Sequence, residues 1–447
     1  MIFSSTSFLC LFLLMALLGY YVTPKKGKNH VLCILSILFY LLNDYKMTIL
    51  LIALIVITYL SMKYSNRKQK HLIIIISFLI FILAYYKYYQ QILNHFTSVD
   101  DIIMPLGISF IIFSMMSCIF DHHRNENLKL DFYTYFNYIL YFPKIFMGPL
   151  MRYEDFQAQW NERSYHSEFL EEGSFLLLKG CFHKVVLSNT FALLFNQLQN
   201  GDSLLNSWLI LISYAFQLYF DFYGYTCMAS GISKFFMIDL PKNFDHPYVA
   251  SGIQNFWTKW HISLSTWFKD YVYIPLGGNR VKTSRAIINL IIVWVLTGLW
   301  HGSSFVYLLW GLYYACLLLL EKYVFKSMLE KIPTIFKMLI TFILVMIGWV
   351  FFFYSNVNEA FSFIASLFDF SNASDLLSIG ILKQYFIFYF VGFIMATPLM
   401  SRLHLDIKKW TNQLYPLVHI VFSFSGWILV FMYLIADSYQ AFLYFQF

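Results

Sequence analysis

The sequence is poor in charged residues. Asp, Glu, Lys and Arg make up 12% of its 447 residues, whereas 59% are hydrophobic and 21% are aromatic. A soluble domain has about 25% charged residues, so this chain lacks the polar side chains that would cover a soluble enzyme, a disordered chain or a nucleic-acid-binding protein. The composition therefore predicts an all-α polytopic membrane protein that is surrounded by the lipid bilayer and binds no nucleic acid.

Several site patterns are missing as well. The six cysteines include no CxxC pair, which disfavours disulfides, a zinc site and an iron–sulfur cluster. The sequence contains no HExxH, P-loop, GxSxG or Rossmann glycine pattern, and we expect no metal. No Pro- or Gly-rich linker, low-complexity tract or repeat divides the chain, so residues 1–447 are expected to form a single integral-membrane domain.

Long apolar runs are the main feature that is present. A membrane-spanning helix needs about 20 apolar residues, and we predict about eleven such helices, with further embedded segments between residues 132 and 200. The predicted spans are Phe3–Val22, His30–Leu42, Met47–Met62, Leu72–Tyr86, Ile102–Phe120, Ser207–Tyr223, Ala286–Trp300, Phe305–Leu320, Met338–Tyr354, Gln384–Met400 and Leu417–Ala436.

Lysine and arginine are distributed unevenly between the loops that join these spans. Four loops contain fourteen of them and three alternate loops contain two. Positive residues favour the cytoplasmic side of a membrane, so the N-terminus and the C-terminus are both predicted outside. Lysines follow the first apolar run and none precedes it, which favours a retained first helix over a cleaved signal peptide. The lysine-rich loops lie near 24–30, 62–71, 321–337 and 401–413, and the others near 43–46, 87–101 and 355–381.

Polar clusters interrupt the apolar segments at three places, where charged side chains are expensive and mark candidate functional sites. The first cluster, Phe142–Phe156, places Arg152 just after a Gly-Pro break. We interpret it either as a solvated helix end or as a site for an anionic part of a substrate.

The other two clusters contain the candidate histidines. One begins with Asp221 in LYFDFYGY and continues over Asn255–Arg280, which combines three tryptophans with charged side chains. We predict a re-entrant segment that lines a cavity, because such backbone is tolerated at membrane depth beside protein or water; an interfacial amphipathic helix is the alternative. In the last cluster, LWHGSSF, His301 is either a hydrogen-bonded core residue or a catalytic one.

The motifs FWTKWHISLSTWFKDYVYIPLGGNR and LTGLWHG resemble the signature of membrane-bound O-acyltransferases, most of all the bacterial branch that O-acetylates alginate or peptidoglycan. The pieces MPLGISF, GPLMRYEDF, LYFDFYGY and FLYFQF extend the resemblance over nearly the whole chain. It implies a funnel-shaped helical enclosure around a tunnel, in the bacterial cytoplasmic membrane. It also implies an invariant histidine at His301, a second important histidine at His261, and an extracytoplasmic SGNH-type O-acetyltransferase as partner.

The sequence departs from this family at one place. The family often continues its FDFSGY motif with Ser-Asp, where this chain has Thr226-Cys227, so an acidic residue usually found near the tunnel is missing. The related D-alanyl transferase of teichoic-acid modification shares the WHG and WHISLS pieces but typically lacks the YIPLGGNR run.

Acyl transfer from a thioester to a hydroxyl group needs a base for the hydroxyl proton and a group that stabilises the oxyanion. Histidine, with an ordinary pKa of about 6.5, suits the first task, so we assign His301 as general base. One of the neighbouring polar side chains His261, Trp257 and Trp260 is expected to orient it or to stabilise the oxyanion. Further substrate-binding candidates are Asp221 and Trp300 and, for the phosphates of coenzyme A, Arg152, Lys259 and Arg280.

The expected function is O-acetylation of an envelope polysaccharide with acetyl-CoA as donor. Enrichment in Phe, Ile, Lys and Asn indicates an AT-rich genome and favours peptidoglycan; alginate, another exopolysaccharide, or D-alanyl transfer to teichoic acid are alternatives. A transporter for a lipid-linked sugar, with His301 and Asp221 as a proton relay, would be a different class. The lack of internal repeats disfavours it.

Tyr444, in the C-terminal string FLYFQF, is the last candidate. With the C-terminus outside, we expect its hydroxyl group to accept acetyl with His301 as base and to pass it to a serine of the partner enzyme. The resemblance supports this relay, because the branch tends to end in the same string. An aromatic belt that anchors the last helix is the alternative.

Overall fold

The computed structural model describes residues 3–94, 107–400 and 414–436, together with Pro105 and Arg402. Within these residues the chain is helical and contains no β-strand, which confirms the predicted all-α class. Tyr444 lies outside the described residues.

The described residues form nineteen α-helices and several shorter turns. In chain order the helices are α1 (Leu13–Val22), α2 (Lys28–Asn43), α3 (Tyr45–Tyr64), α4 (Gln69–Asn94), α5 (Ile108–Arg124), α6 (Phe132–Leu140), α7 (Tyr153–Glu162), α8 (Ser167–Cys181), α9 (Asn189–Leu198), α10 (Leu204–Phe235), α11 (Ile253–Trp257), α12 (Ile262–Phe268), α13 (Thr283–His301), α14 (Phe305–Leu319), α15 (Lys326–Lys331), α16 (Thr334–Phe353), α17 (Val357–Ser366), α18 (Leu376–Ala396) and α19 (Tyr415–Ala436). Short 3₁₀ segments lie at Lys25–Gly27, Phe142–Lys144 and Pro247–Val249, and π-helical turns at Phe8–Phe12, Phe182–Ser188, Lys269–Tyr273 and Leu320–Val324.

Seven of the described helices are long and apolar enough to cross a membrane: α3, α4, α13, α14 with its π-helical extension, α16, α18 and α19. Where the structure describes them, the other predicted spans also fall on helices, which are shorter or more polar than these seven. Helices α2 and α5 have 16 and 17 residues, near the lower limit of about 17 for a span. The apolar segment Phe8–Val22 is short as well, and α10 carries polar side chains along its 32 residues.

The chain forms two compact units, each built from two stretches of sequence. The first unit comprises Met1–Gly180 and Tyr225–Pro241, and the second comprises Cys181–Gly224 and Lys242–Phe447. The single integral domain expected from the sequence stays a prediction.

In the first unit, glycine lets two helices approach closely. A Cβ atom on Gly231 in α10 would stand 2.6 Å from the carbonyl oxygen of Gly173 in α8. Close to this contact, the ammonium group of Lys234 lies 2.9 Å from the carboxylates of both Glu172 and Asp239. Small residues allow tight helix packing in membrane proteins, and here the Lys234–Glu172 pair joins the same two helices.

In the second unit, glycine plays the same part between α13 and α14. A Cβ atom on Gly298 would stand 2.5 Å from the carbonyl oxygen of Tyr307, and one on Gly311 would stand 2.4 Å from that of Trp294. This close packing brings Trp294 and Trp310 together, with ring centroids 5.8 Å apart. The helix pair therefore presents aromatic side chains from both members to the interior of the unit.

Candidate active site

A cavity of about 960 Å³ lies within the second unit, a size typical of small-molecule sites. The lining divides into two groups along α14, because Lys322 follows Trp310 by twelve residues, or about 18 Å of helix. We call these groups the aromatic end and the lysine end. The aromatic end consists of Trp257, Trp260, His261, Trp294, His301, Trp310, Trp349 and Phe352. The lysine end consists of Lys269, Glu321, Lys322, Lys326, Glu330 and Lys337.

His301 is the last residue of α13, is 5% exposed and lines the aromatic end. Its ring lies 4.6 Å from that of Trp300, 4.8 Å from that of Trp310 and 4.9 Å from that of Phe352, measured between centroids. The helix ends here at Gly302, where a Cβ atom would stand 2.6 Å from an aromatic ring of α14. The Trp-His-Gly break thus holds one imidazole in the cavity wall.

His261 occupies the position before α12 with a left-handed backbone (φ 45°) and is 2% exposed. Its Nδ1 lies 3.2 Å from Oδ1 of Asn243, which also accepts from the backbone N–H of Ser263 at 3.1 Å. A backbone N–H can only donate, so this Asn243 atom is the acceptor oxygen and Nδ1 of His261 must carry the proton. Burial lowers the pKa of His261 to about 3. The imidazole is therefore neutral, with Nε2 as its basic nitrogen.

Trp300 contacts both histidines. Its ring centroid lies 4.6 Å from that of His301 and 6.5 Å from that of His261. It is not among the described residues that line the cavity. Trp300 therefore packs against the two imidazoles predicted to be catalytic, rather than forming the cavity wall.

Both tryptophans that the sequence singled out as oxyanion candidates line the cavity. The Trp257 ring lies 5.6 Å from that of Trp310, and the Trp260 ring lies 4.9 Å from that of Trp349. The sequence analysis did not select Trp310 or Trp349. Trp310 stands nine residues after His301 on the next helix. The turn between the two helices brings it back to the cavity that His301 lines.

The positive charge at the cavity comes from residues that the sequence analysis did not select. Lys259 and Arg280, predicted to bind coenzyme A phosphates, are not among the described cavity-lining residues. The lysines that do line it are Lys269, Lys322, Lys326 and Lys337. The last three belong to the loop 321–337, whose charge already predicts a cytoplasmic location, and this was the signal that could have found them.

The YIPLGGNR motif shapes the lysine end. Gly277 and Gly278 have φ angles of 106° and 55°, in the region that glycine adopts without steric cost. The Asn289 side chain donates to two carbonyl oxygens of this turn, at 3.0 and 3.4 Å. Asn279, the next residue, accepts from Nζ of Lys322 at 2.8 Å. The motif therefore forms a turn that Asn289 holds by hydrogen bonds and that positions Lys322.

Comparison with known proteins decides the family. Residues 2–364 match the family model described as MBOAT, the membrane-bound O-acyltransferase family. The chain belongs to this family. It is a multi-pass membrane acyltransferase.

Three relatives have names that describe acyl transfer. The acyltransferase is 34% identical over 399 residues to a probable alginate O-acetylase of Pseudomonas aeruginosa, covering 83% of this chain and 75% of that protein. It is 30% identical over 414 residues to a peptidoglycan O-acetyltransferase of Helicobacter pylori, covering 80% and 78%. A teichoic acid D-alanyltransferase of Bacillus subtilis is 33% identical over 235 residues, covering 49% and 59%.

Asp221 of the acyltransferase, predicted to bind substrate, is engaged elsewhere in the second unit. Its carboxylate lies 2.5 Å from Nζ of Lys184, and both side chains are almost fully buried. Asp221 is not among the described residues that line the cavity. Breaking a buried pair leaves an uncompensated charge, so the pair has a structural role. The partner was missed because Lys184 lies 37 residues away in sequence.

Arg152 belongs to the first unit. It precedes α7, and its guanidinium group lies 3.7 Å from the carboxylate of Asp121, with the Arg152 side chain 44% exposed. An exposed pair of this kind contributes little to stability. The surroundings of Arg152 therefore fit the solvated helix end that the sequence left open.

Proposed function

We propose that this acyltransferase takes acetyl from acetyl-CoA at the cytoplasmic face and delivers it outward for O-acetylation of an envelope polysaccharide, with peptidoglycan as the first candidate. The cavity of the second unit carries the proposal, because it combines His301 at the aromatic end with four lysines at the lysine end. Relatives named as a peptidoglycan O-acetyltransferase and a probable alginate O-acetylase support the reaction class.

The chemical step follows from the aromatic end. The acceptor hydroxyl oxygen attacks the thioester carbonyl carbon while His301 takes the hydroxyl proton. The tetrahedral intermediate then expels the coenzyme A thiolate, which recovers that proton from the imidazolium. Rings around His301 exclude water from the reacting atoms, and exclusion of water also protects the thioester from hydrolysis.

The lysine end suits the other half of the donor. Coenzyme A carries a diphosphate and a 3′-phosphate, and Lys269, Lys326 and Lys337 supply positive charge where its nucleotide would lie. Two π-helical turns, Lys269–Tyr273 and Leu320–Val324, carry Lys269 and Lys322 of this end. Such turns occur frequently at functional sites.

Neutralising two lysines of this end should weaken donor binding. For the double variant Lys326→Gln/Lys337→Gln we expect the KM for acetyl-CoA to rise roughly tenfold or more with kcat largely kept, because each lost charge contact is worth about 1 kcal/mol even at the dielectric constant of water. Lys331→Gln is the matched control, since Lys331 lies on α15 with Lys326 but is not a cavity-lining residue among those described. An equal effect of the control would place the donor elsewhere.

The acceptor can be identified by measuring ester-linked acetate in two purified fractions. Loss of this acyltransferase should remove acetate from peptidoglycan and leave exopolysaccharide acetate unchanged. The opposite pattern would assign the protein to an exopolysaccharide, and unchanged acetate in both would contradict envelope O-acetylation. We further propose that a separate extracytoplasmic SGNH-type transferase makes the final ester.

A further inference from the structure

The carboxylate of Glu321 holds the start of a short helix. Its Oε2 accepts from the backbone N–H of Ile253 at 2.5 Å, and its Oε1 accepts from that of Gln254 at 3.3 Å. These two N–H groups belong to the first turn of α11, where the backbone donors have no partner within the helix. Glu321 itself lies in the π-helical turn that follows α14.

The residue before α11 leaves room for this contact. A Cβ atom on Gly252 would stand 3.0 Å from Oε1 and 3.2 Å from Oε2 of Glu321. The backbone of Gly252 is extended, with φ 173°, so its conformation does not require glycine. A methyl group here would be tight against the carboxylate, which would have to shift by a few tenths of an ångström.

The segment that Glu321 holds leads directly to the aromatic end of the cavity. Helix α11 ends at Trp257, and the chain continues through Trp260 to His261. Asn243 fixes the far end, since its carbonyl oxygen accepts from the N–H of Ile262 at 2.9 Å and its side chain binds His261. Glu321 and Asn243 therefore hold, by hydrogen bonds, the two ends of the segment that runs from the start of α11 to His261.

Helix α11 has only five residues, and a helix of that length does not persist by itself. Its orientation therefore depends on contacts from outside the segment. Helix α14 provides them twice, through Trp310 against Trp257 and, at its C-terminal extension, through Glu321.

We infer that Glu321 is a positioning residue for acyl transfer: its carboxylate holds the segment that carries Trp257 and His261 in register with α14. The inference rests on the function proposed above. Glu321 also lines the lysine end, so the competing account is that it acts there only as a negative charge near the donor phosphates.

The two accounts predict different kinetics for Glu321→Gln. An amide can accept from one of the two N–H groups but turns its own NH₂ toward the other. As a displacement of about 1 Å can cost ~10²-fold in rate, we expect kcat to fall at least tenfold, with the KM for acetyl-CoA changed less than about threefold. Glu330→Gln removes the same charge from the same end of the cavity and so measures the effect of a lost charge alone; the loss of kcat in Glu321→Gln should exceed it at least tenfold.

Gly252→Ala provides a second variant without a change of charge. Its methyl group would press on the Glu321 carboxylate, so kcat should fall, as it should in Glu321→Gln. If Glu321→Gln changes only KM, as loss of a negative charge at the lysine end would, the positioning role is refuted. It is also refuted if both variants keep the wild-type kcat.

Amide hydrogen exchange of the full-length protein gives a readout that needs no substrate. Peptides covering 253–257 should exchange faster in Glu321→Gln than in Glu330→Gln or the wild type. If Glu321→Gln exchanges faster but the wild-type protein transfers no acetyl group, the proposed function alone is contradicted. If the wild-type protein transfers acetyl but Glu321→Gln exchanges at the wild-type rate, the inference alone is contradicted.

Discussion

His301→Ala is expected to lower envelope O-acetylation by roughly 10²–10⁴-fold, the usual contribution of a general base, while the protein still inserts and accumulates. His301 is the buried imidazole that ends α13 in the wall of the aromatic end. Its loss leaves the acceptor hydroxyl group without a proton acceptor. Ester-linked acetate per unit of membrane protein is the measurement.

Two further variants separate chemistry from packing. His301→Gln keeps a polar side chain of similar size and should be as inactive as His301→Ala. His183→Gln is the matched control, because His183 is also a buried histidine of the second unit, 1% exposed, but is not among the described cavity-lining residues. Near-normal acetylation in His301→Gln would show that His301 is only a packed core residue and not the general base.

His261→Ala is expected to impair the reaction less than the His301 variants. The hydrogen bond from Nδ1 to Asn243 leaves Nε2 as the basic nitrogen, and the neutral ring suits a role in orienting groups or stabilising the oxyanion. Trp300, which contacts both imidazoles, couples the positions of the two rings.

Tyr444→Phe is expected to abolish acetylation of the polysaccharide at normal protein level. Acetyl must cross ~30 Å of hydrocarbon, and we propose that the Tyr444 hydroxyl group is its first acceptor. Its oxygen bonds to the acetyl carbon, the bond to sulfur breaks, and the proton passes through His301 to the departing thiolate. Phenylalanine keeps the ring and most of its interfacial affinity but removes the nucleophile.

The relay has a direct chemical signature. Mass spectrometry of wild-type protein should detect an acetyl adduct on Tyr444 when the partner transferase is absent. Tyr433→Phe in α19 removes a hydroxyl group from the last helix and should leave acetylation intact. Wild-type acetylation in Tyr444→Phe would support the alternative of an interfacial aromatic anchor.

Hydropathy and sequence motifs predict a large part of this molecule. Helices such as α13 and α14 are visible in the sequence because a span needs a continuous apolar run. The break at His301 is visible because polar groups stand out within such runs. Seven of the described helices have the length and hydropathy of a membrane span. Helices α2 and α5 are apolar but shorter, and a hydropathy window does not show where each helix ends.

Contacts between distant residues could not be predicted in the same way. Asp221 reads as a lone charge in an apolar run, yet its partner Lys184 comes from a different segment. Lys322 reads as one of several lysines in a loop, yet Asn279 of the YIPLGGNR turn holds it at the cavity. In both cases the function of a charge depends on tertiary packing, which one-dimensional spacing does not contain.

Transfer of labelled acetate in oriented membrane vesicles tests the central claim most directly. The claim is that the donor enters the cavity of the second unit at its lysine end from the cytoplasmic face and reacts at His301. Everted vesicles given ¹⁴C-labelled acetyl-CoA should incorporate label into protein or polysaccharide. Incorporation should be far lower in Lys326→Gln/Lys337→Gln at low donor concentration, and roughly 10²-fold lower or more in His301→Gln. Equal incorporation by sealed right-side-out vesicles, or undiminished incorporation by His301→Gln, would contradict the account.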